Sequence, residues 1–202
     1  MNVQRLIVLL KAPRPRTVKT RLAATLGAVA ACAAYRHLVE TLLRHLPALE
    51  NVELCFTPDD AGSEVKPWAQ PSWRLTAQGN GDLGCRLEQA FRRSFDEGAR
   101  RVVIIGSDCP DVGERDIQAA WAALSSHDVV LGPATDGGYW LIGLHAPRPD
   151  LLANIPWSTD GVLRQTLERC RAAGLTTHLL RELSDVDTEA DWRRFLAKVG
   201  EK

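Results

Sequence analysis

The chain has 202 residues, 45% hydrophobic and 25% charged, enough for one large α/β domain or two small ones, in an ordinary globular composition. Lys plus Arg and Asp plus Glu balance at 25 each, which excludes a global field favouring nucleic acid or a membrane surface. No apolar run approaches the roughly 18 residues that span a bilayer. Five scattered cysteines without Cys-x-x-Cys spacing argue for reduced thiols in a cytoplasm and against a zinc site. Met1 to Leu10 carries one charge and no small-residue cleavage site, so no signal peptide is expected.

Leu6 to Leu10 reads as an opening strand. The loop after it, Lys11 to Arg21, holds Lys11, Arg14, Arg16, Lys19 and Arg21 and no acid. Its prolines forbid helix, and Thr17 is placed to cap a helix from about Val18. Such a loop at a helix start suits phosphate groups, or else is a solvated basic surface. It lacks the glycines of a Gly-x-x-x-x-Gly-Lys loop. Tyr35, Leu38, Val39, Leu42, Leu43 and Leu46 mark a helix that Pro47 closes, with His37 and His45 as its surface residues. Val52 to Thr57 reads as a second strand and Asp59-Asp60 as turn carboxylates. A short helix over Ser63 to Pro71 and a weak strand over Trp73 to Ala77 follow.

Gly79-Asn-Gly-Asp-Leu-Gly84 is a formal Gly-x-Gly-x-x-Gly before a convincing helix (Leu83, Leu87, Ala90, Phe91, Phe95). The preceding strand is polar and lies well inside the chain, against a dinucleotide fingerprint. A turn that lets a ligand approach the backbone and a plain helix-start turn fit equally. Val102 to Ile105 is a strand buried on both faces, ended by Gly106-Ser-Asp-Cys-Pro110. Asp108 therefore sits at the carboxyl end of a strand, where open α/β sheets place ligands; alone, it is equally a turn carboxylate.

A helix around Ile117 and Trp121 and a strand over Asp128 to Leu131 come next. A turn through Asp136, Gly137 and Gly138 then leads to a strand from Tyr139 to Leu144. Pro147 to Pro149 reads as loop, and Ser158 or Thr159 as cap of a helix with Leu163, Leu167 and Cys170. After a last strand, Thr176 to Leu180, Asp185 and Asp187 alternate around Val186 and point to one side in extended backbone. Thr188 and Asp191 resemble a capping pair for the final helix. The element order describes one doubly wound α/β domain over residues 1–202. Cations after the first strand and carboxylates after two later ones suit phosphates bridged by magnesium or manganese. No Ser-His-Asp arrangement is evident.

Lys11-Ala-Pro-Arg-Pro15, Val18-Lys-Thr-Arg-Leu22, Gln78-Gly, Gly-Asp-Leu-Gly84, Gly106-Ser-Asp-Cys-Pro110, Thr135-Asp-Gly-Gly-Tyr-Trp-Leu-Ile-Gly143, Pro156-Trp-Ser158 and Asp185-Val-Asp-Thr188 resemble the rSAM/selenodomain-associated transferases (DUF2064). More distantly the chain is similar to phospholactate and phosphoenolpyruvate guanylyltransferases. The resemblance implies a three-layer αβα, mostly parallel, Rossmann-like sheet of the nucleotide-diphospho-sugar transferase (glycosyltransferase A) type. It implies a cytoplasmic, Mg2+- or Mn2+-dependent transferase taking a nucleotide or nucleotide-sugar donor and a small-molecule acceptor, with a homodimer as a compatible assembly. Glycosyl transfer leads; nucleotidyl transfer to a small phosphorylated acid, or a non-catalytic nucleotide-binding module, are the alternatives. By the same resemblance Lys19 and Asp108 are catalytic. Lys11, Arg14, Lys19, Arg21, Gln78, Gly79 and Gly84 bind nucleotide, and Asp136, Gly137 and Ser158 face the acceptor. Asp108, Asp185 and Asp187 hold the metal. The Ser-Asp-Cys-Pro-Asp motif departs from the superfamily's Asp-x-Asp, and the first loop lacks its Gly-rich signature.

Overall fold

The structure, a computed structural model, describes residues 4–200. Its strands are β1 (Gln4–Lys11), β2 (Val52–Thr57), β3 (Arg74–Ala77), β4 (Arg101–Ile105), β5 (Val129–Pro133), β6 (Tyr139–Leu144) and β7 (Thr177–Leu179). Its helices are α1 (Thr20–Leu26), α2 (Ala28–Arg44), α3 (Gly62–Val65), α4 (Leu83–Asp96), α5 (Glu114–Ala123), α6 (Pro149–Leu152), α7 (Val162–Ala172) and α8 (Glu189–Gly200). The strands form one sheet in the order β3-β2-β1-β4-β6-β5-β7. All neighbours pair in parallel except β6, which runs antiparallel to both β4 and β5.

The period-2 alternation of each strand explains the layers. Leu6, Val8 and Leu10 of β1, with Val103 and Ile105 of β4, pack against α2 and α5 through Tyr35, Val39, Leu42, Ile117 and Trp121. Ile7 of β1, with Val102 and Ile104 of β4, faces α4, α6 and α7 through Leu87, Phe91, Leu152 and Cys170. Central strands buried on both faces need continuous β-branched and Leu-rich runs, as β1 and β4 have. Chain order reverses between β1 and β4, a switch point at whose carboxyl ends the loops part and leave a cleft.

Several local expectations are corrected. Thr17 caps no helix: its hydroxyl donates back to the Arg14 carbonyl, and α1 starts at Thr20 with Lys19 as its first flanking residue. Neither Ser158 nor Thr159 caps α7, whose N-cap is Gly161; Thr159 Oγ1 donates to the Pro156 carbonyl instead. Pro149 opens α6 rather than continuing a loop, because its fixed φ suits a first helical turn. His37 is half-buried, its ring edge-on to Trp192 and Phe195, not a surface residue. The Thr188–Asp191 pair does cap α8: Asp191 Oδ2 accepts from the Thr188 N–H at 2.8 Å and its hydroxyl at 2.7 Å.

Candidate active site

The segment after β1 carries its cation inward by an unusual backbone. Lys19 lies in the left-handed region (φ 48°, ψ 49°), a costly conformation for a β-carbon-bearing residue that persists only where surroundings enforce it. Its side chain is 2% exposed, with Nζ 2.5 Å from Asp108 Oδ1 and 2.9 Å from Asp187 Oδ1. Burial opposes the ammonium charge, but the two carboxylates outweigh it and raise the Lys19 pKa. Arg21, largely exposed, approaches Asp187 Oδ2 at 3.8 Å.

Asp108 follows β4 directly, and its surroundings are tied to two other elements. Its backbone carbonyl accepts from the Val186 N–H at 3.0 Å, docking the segment that carries Asp185 and Asp187. Behind it, Tyr35 Oη accepts from the Lys11 N–H at 2.8 Å and shares a hydrogen bond with Ser107 Oγ at 3.0 Å. Burial first, and the Asp108 charge second, raise that phenol's pKa, so it stays a neutral clasp between β1, α2 and β4.

Asp185 is half-buried, and desolvation, then Asp108 and Asp136, push its pKa up to about 7, with Lys19 working in the opposite direction. Two carboxylates hold the buried ammonium directly, and Asp185 and Asp136 add negative charge nearby, an excess that fits a divalent cation. Among the described residues no three His, Cys, Asp or Glu form a ready-made metal cage, and Lys19 stands between two of the carboxylates. That arrangement suits magnesium or manganese held by one or two carboxylates plus oxygens a ligand brings with it.

These groups line one cleft of about 830 Å³, together with Lys11, Arg21, Gln78, Asp136 and Ser158. Of the remaining expected residues, Arg14 is not brought in. Its guanidinium is committed to Glu64 (2.6 Å) and Asp60 (3.1 Å), because α3 and the turn before it each place an acid against it. Gly79 donates its N–H to Asp59 Oδ1, so its position shapes the turn. Gly84 is a packing position: a β-carbon there would lie 2.5 Å from the Leu152 carbonyl and 2.9 Å from Trp157 Nε1. Gly137 has φ +87° and a β-carbon would strike the Asp160 backbone, so it locks the Asp136 turn against the Ser158–Asp160 loop. Asp136 Oδ1 accepts from the Gly138 N–H at 2.9 Å.

The cleft also holds Tyr35, Arg86, Tyr139 and Trp157, which residue pattern alone does not assign to a site. Tyr35 reads as plain core from its helical spacing, and Arg86 as one charge on an amphipathic helix. Tyr139 and Trp157 meet edge to face, with ring centroids 6.3 Å apart, along the wall below Gly84. Trp157 sits in the Pro156-Trp-Ser158 motif, the one signal available for it. The Gly-x-Gly-x-x-Gly turn follows β3, an edge strand, rather than the central first βα unit that a dinucleotide fingerprint requires.

The strand order, the single antiparallel β6 and the cleft at the β1/β4 switch define an α/β fold of the nucleotide-diphospho-sugar transferase type. A candidate nucleotide-diphospho-sugar transferase of Desulfovibrio desulfuricans G20 has this fold at a TM-score of 0.87 and 37% identity, over 93% of this chain and 84% of that one. The chain belongs to the family described as uncharacterized protein conserved in bacteria (DUF2064), whose model matches residues 42–159. More remote structures share the fold. Rv0371c of Mycobacterium tuberculosis H37Rv in complex with manganese has 18% identity and a TM-score of 0.55, covering 96% and 98% of the two chains. The CMP:2-keto-3-deoxy-manno-octonic acid synthetase complexed with CTP has 14% identity and a TM-score of 0.56, with 98% of each chain covered. No curated protein matches the chain.

Proposed function

We propose that the protein is a divalent-metal-dependent transferase that uses a nucleotide-activated donor, with glycosyl transfer from a nucleotide sugar as its reaction. The observation that carries this reading is the buried Lys19 ammonium held between Asp108 and Asp187, with Asp185 and Asp136 adding charge that one lysine cannot neutralise. In this reading Asp108, Asp185 and Asp187 would hold Mg2+ or Mn2+, which would supply charge neutralisation for the donor's phosphates. Lys19 would turn its Nζ to a phosphate oxygen, and Arg21 would close on the same group from the exposed side. Lys11 adds positive charge at the cleft. The Gln78–Gly84 turn borders the nucleoside. Asp136 and Ser158 face the acceptor and orient its hydroxyl by hydrogen bonds, so that transfer is driven by positioning and charge neutralisation rather than by a protein nucleophile.

The similarity to the Desulfovibrio candidate transferase supports a nucleotide sugar as donor. The test is product analysis on a panel of nucleotide sugars and nucleoside triphosphates, with Mg2+ or Mn2+ and with chelator. The expected result is release of nucleoside diphosphate from at least one nucleotide sugar, lost with chelator. Release of inorganic pyrophosphate from a triphosphate would replace glycosyl with nucleotidyl transfer. Absence of both turnover and binding across the panel would remove the transferase reading altogether.

A further inference from the structure

On the far wall of the cleft stands a cation that the metal and phosphate roles leave unused. Gln78 follows β3 and is buried. Its Nε2 donates to the Leu10 carbonyl at 3.0 Å and the Cys55 carbonyl at 2.9 Å, at the carboxyl ends of β1 and β2. Both partners can only accept, so the amide orientation is fixed and Oε1 must face the other way. There Oε1 accepts from Arg86 Nη1 at 3.2 Å, while Arg86 Nε donates to the Gly81 carbonyl at 3.0 Å.

Arg86 is thus held by two neutral oxygens and, among the described residues, by no carboxylate in ion-pair contact. Asp82 is near enough to interact with it electrostatically, but Asp82 Oδ1 accepts from the Cys85 N–H at the start of α4. Three of the five guanidinium N–H groups keep no protein acceptor among the described residues, and Gln78 Oε1 keeps a lone pair. Both side chains line the cleft, Gln78 just after the edge strand β3 and Arg86 on α4, and neither bonds to Lys19 or Asp108. An anchored fork of donors beside one acceptor is a reader of flat, polar ring edges.

Resting on the proposed nucleotide donor, we infer that Arg86, oriented by Gln78, is a specificity-determining residue for the donor's base. It favours a base whose edge offers two adjacent acceptors. Guanine does so with N7 and O6, and cytosine with N3 and O2; each also carries a neighbouring N–H for Gln78 Oε1. Adenine sets its amino group beside both N1 and N7 and leaves N3 as a lone acceptor, and uracil sets N–H beside its carbonyls, so neither offers the fork two adjacent acceptors. A leftover donor pair opposite an N–H is what discriminates, since unpaired buried polar groups are costly.

The experiment is calorimetric titration of GDP, CDP, ADP and UDP, each with Mn2+, into the native protein and into Arg86→Met and Arg86→Lys. The native protein should bind GDP and CDP about tenfold more tightly than ADP and UDP, the scale of one bidentate base contact. Both variants should bring the four affinities within about twofold of one another, because lysine lacks the planar fork. ADP and UDP should change by less than about threefold, which also certifies that the variants are folded. Equal weakening of all four nucleotides would make Arg86 a phosphate contact and overturn the inference. So would a native protein without the preference. If no nucleotide binds the native protein at all, the transferase reading falls and the inference with it.

Discussion

Asp185→Asn should abolish a loss of stability that the native protein suffers as pH rises from about 4 to about 7. Asp185 is pushed up to about 7 by desolvation and then by Asp108 and Asp136, while an unfolded-chain aspartate titrates near 3.9, roughly three units lower. Between those values the folded protein keeps a proton that the unfolded chain has released. Stability therefore falls with rising pH across that window and levels off above the folded value. Three units correspond to an upper limit of about 4 kcal/mol. Asp185 is only half-buried, and water and mobile ions screen its neighbours, so the effect should be nearer 2 kcal/mol. For a chain of this length that is a fall of roughly 4–8 °C in Tm.

The assay is urea or thermal unfolding in chelator, at about pH 5 and about pH 8, on native protein and Asp185→Asn side by side; the difference between them cancels other titrating groups. The asparagine keeps the shape and removes the charge, so between these two pH values its curve should be flatter by about 1.3 kcal/mol, roughly two thirds of the full effect. Mn2+ should stabilise the native protein more at the higher pH, where Asp185 is ionised. An Asp185→Asn protein with the same pH slope as the native one would refute the carboxylate-crowding argument.

Three further outcomes follow from the same geometry. Lys19→Met removes a positive charge from between Asp108 and Asp187; a unit charge pair at 4 Å is worth about 4 kcal/mol at an effective dielectric of 20. Screening at these part-exposed carboxylates reduces it, leaving Mn2+ affinity without nucleotide higher by about tenfold, measured by calorimetry, while nucleotide affinity falls. Tyr35→Phe deprives the Lys11 N–H and the buried Ser107 hydroxyl of their shared partner and should cost about 1–2 kcal/mol in urea unfolding. Gly137→Ala forces a β-carbon into the Asp160 backbone at a positive φ and should cost about 2 kcal/mol or more. Its crystal structure should show the Ser158–Asp160 loop displaced.

Much of the frame was legible because its signals are local. Val102 to Ile105, Val52 to Thr57 and Tyr139 to Leu144 are short runs rich in β-branched, aromatic and other apolar residues, the first two closed by Gly106 and Pro58, and each is a strand in the structure. Asp108, Asp185 and Asp187 stood out as polar residues just past such runs, where ligands gather. What escaped depends on contacts distant in sequence. Arg14 looked like the other loop cations until α3 and the turn before it supplied Glu64 and Asp60, 46 and more residues away, to hold it aside. The direction of β6 is set by its pairing with β4 and β5, not by its composition. Lys19 stood out by family resemblance, but its burial did not, because the left-handed backbone that turns the side chain inward leaves no mark in residue type. Arg86 and Gln78 become one unit only when β1 and β2 end beneath the Gln78 amide.

The central claim is that the Asp108 cluster and a divalent cation together hold a donor's phosphates. Calorimetric titration of GDP into native protein and Asp108→Asn, with Mn2+ and with chelator, tests it most directly. Binding to the native protein should depend on Mn2+ and weaken at least about tenfold in Asp108→Asn, the scale of a charge-assisted contact removed. Binding that is indifferent to Mn2+, or equal in Asp108→Asn and the native protein, would contradict it.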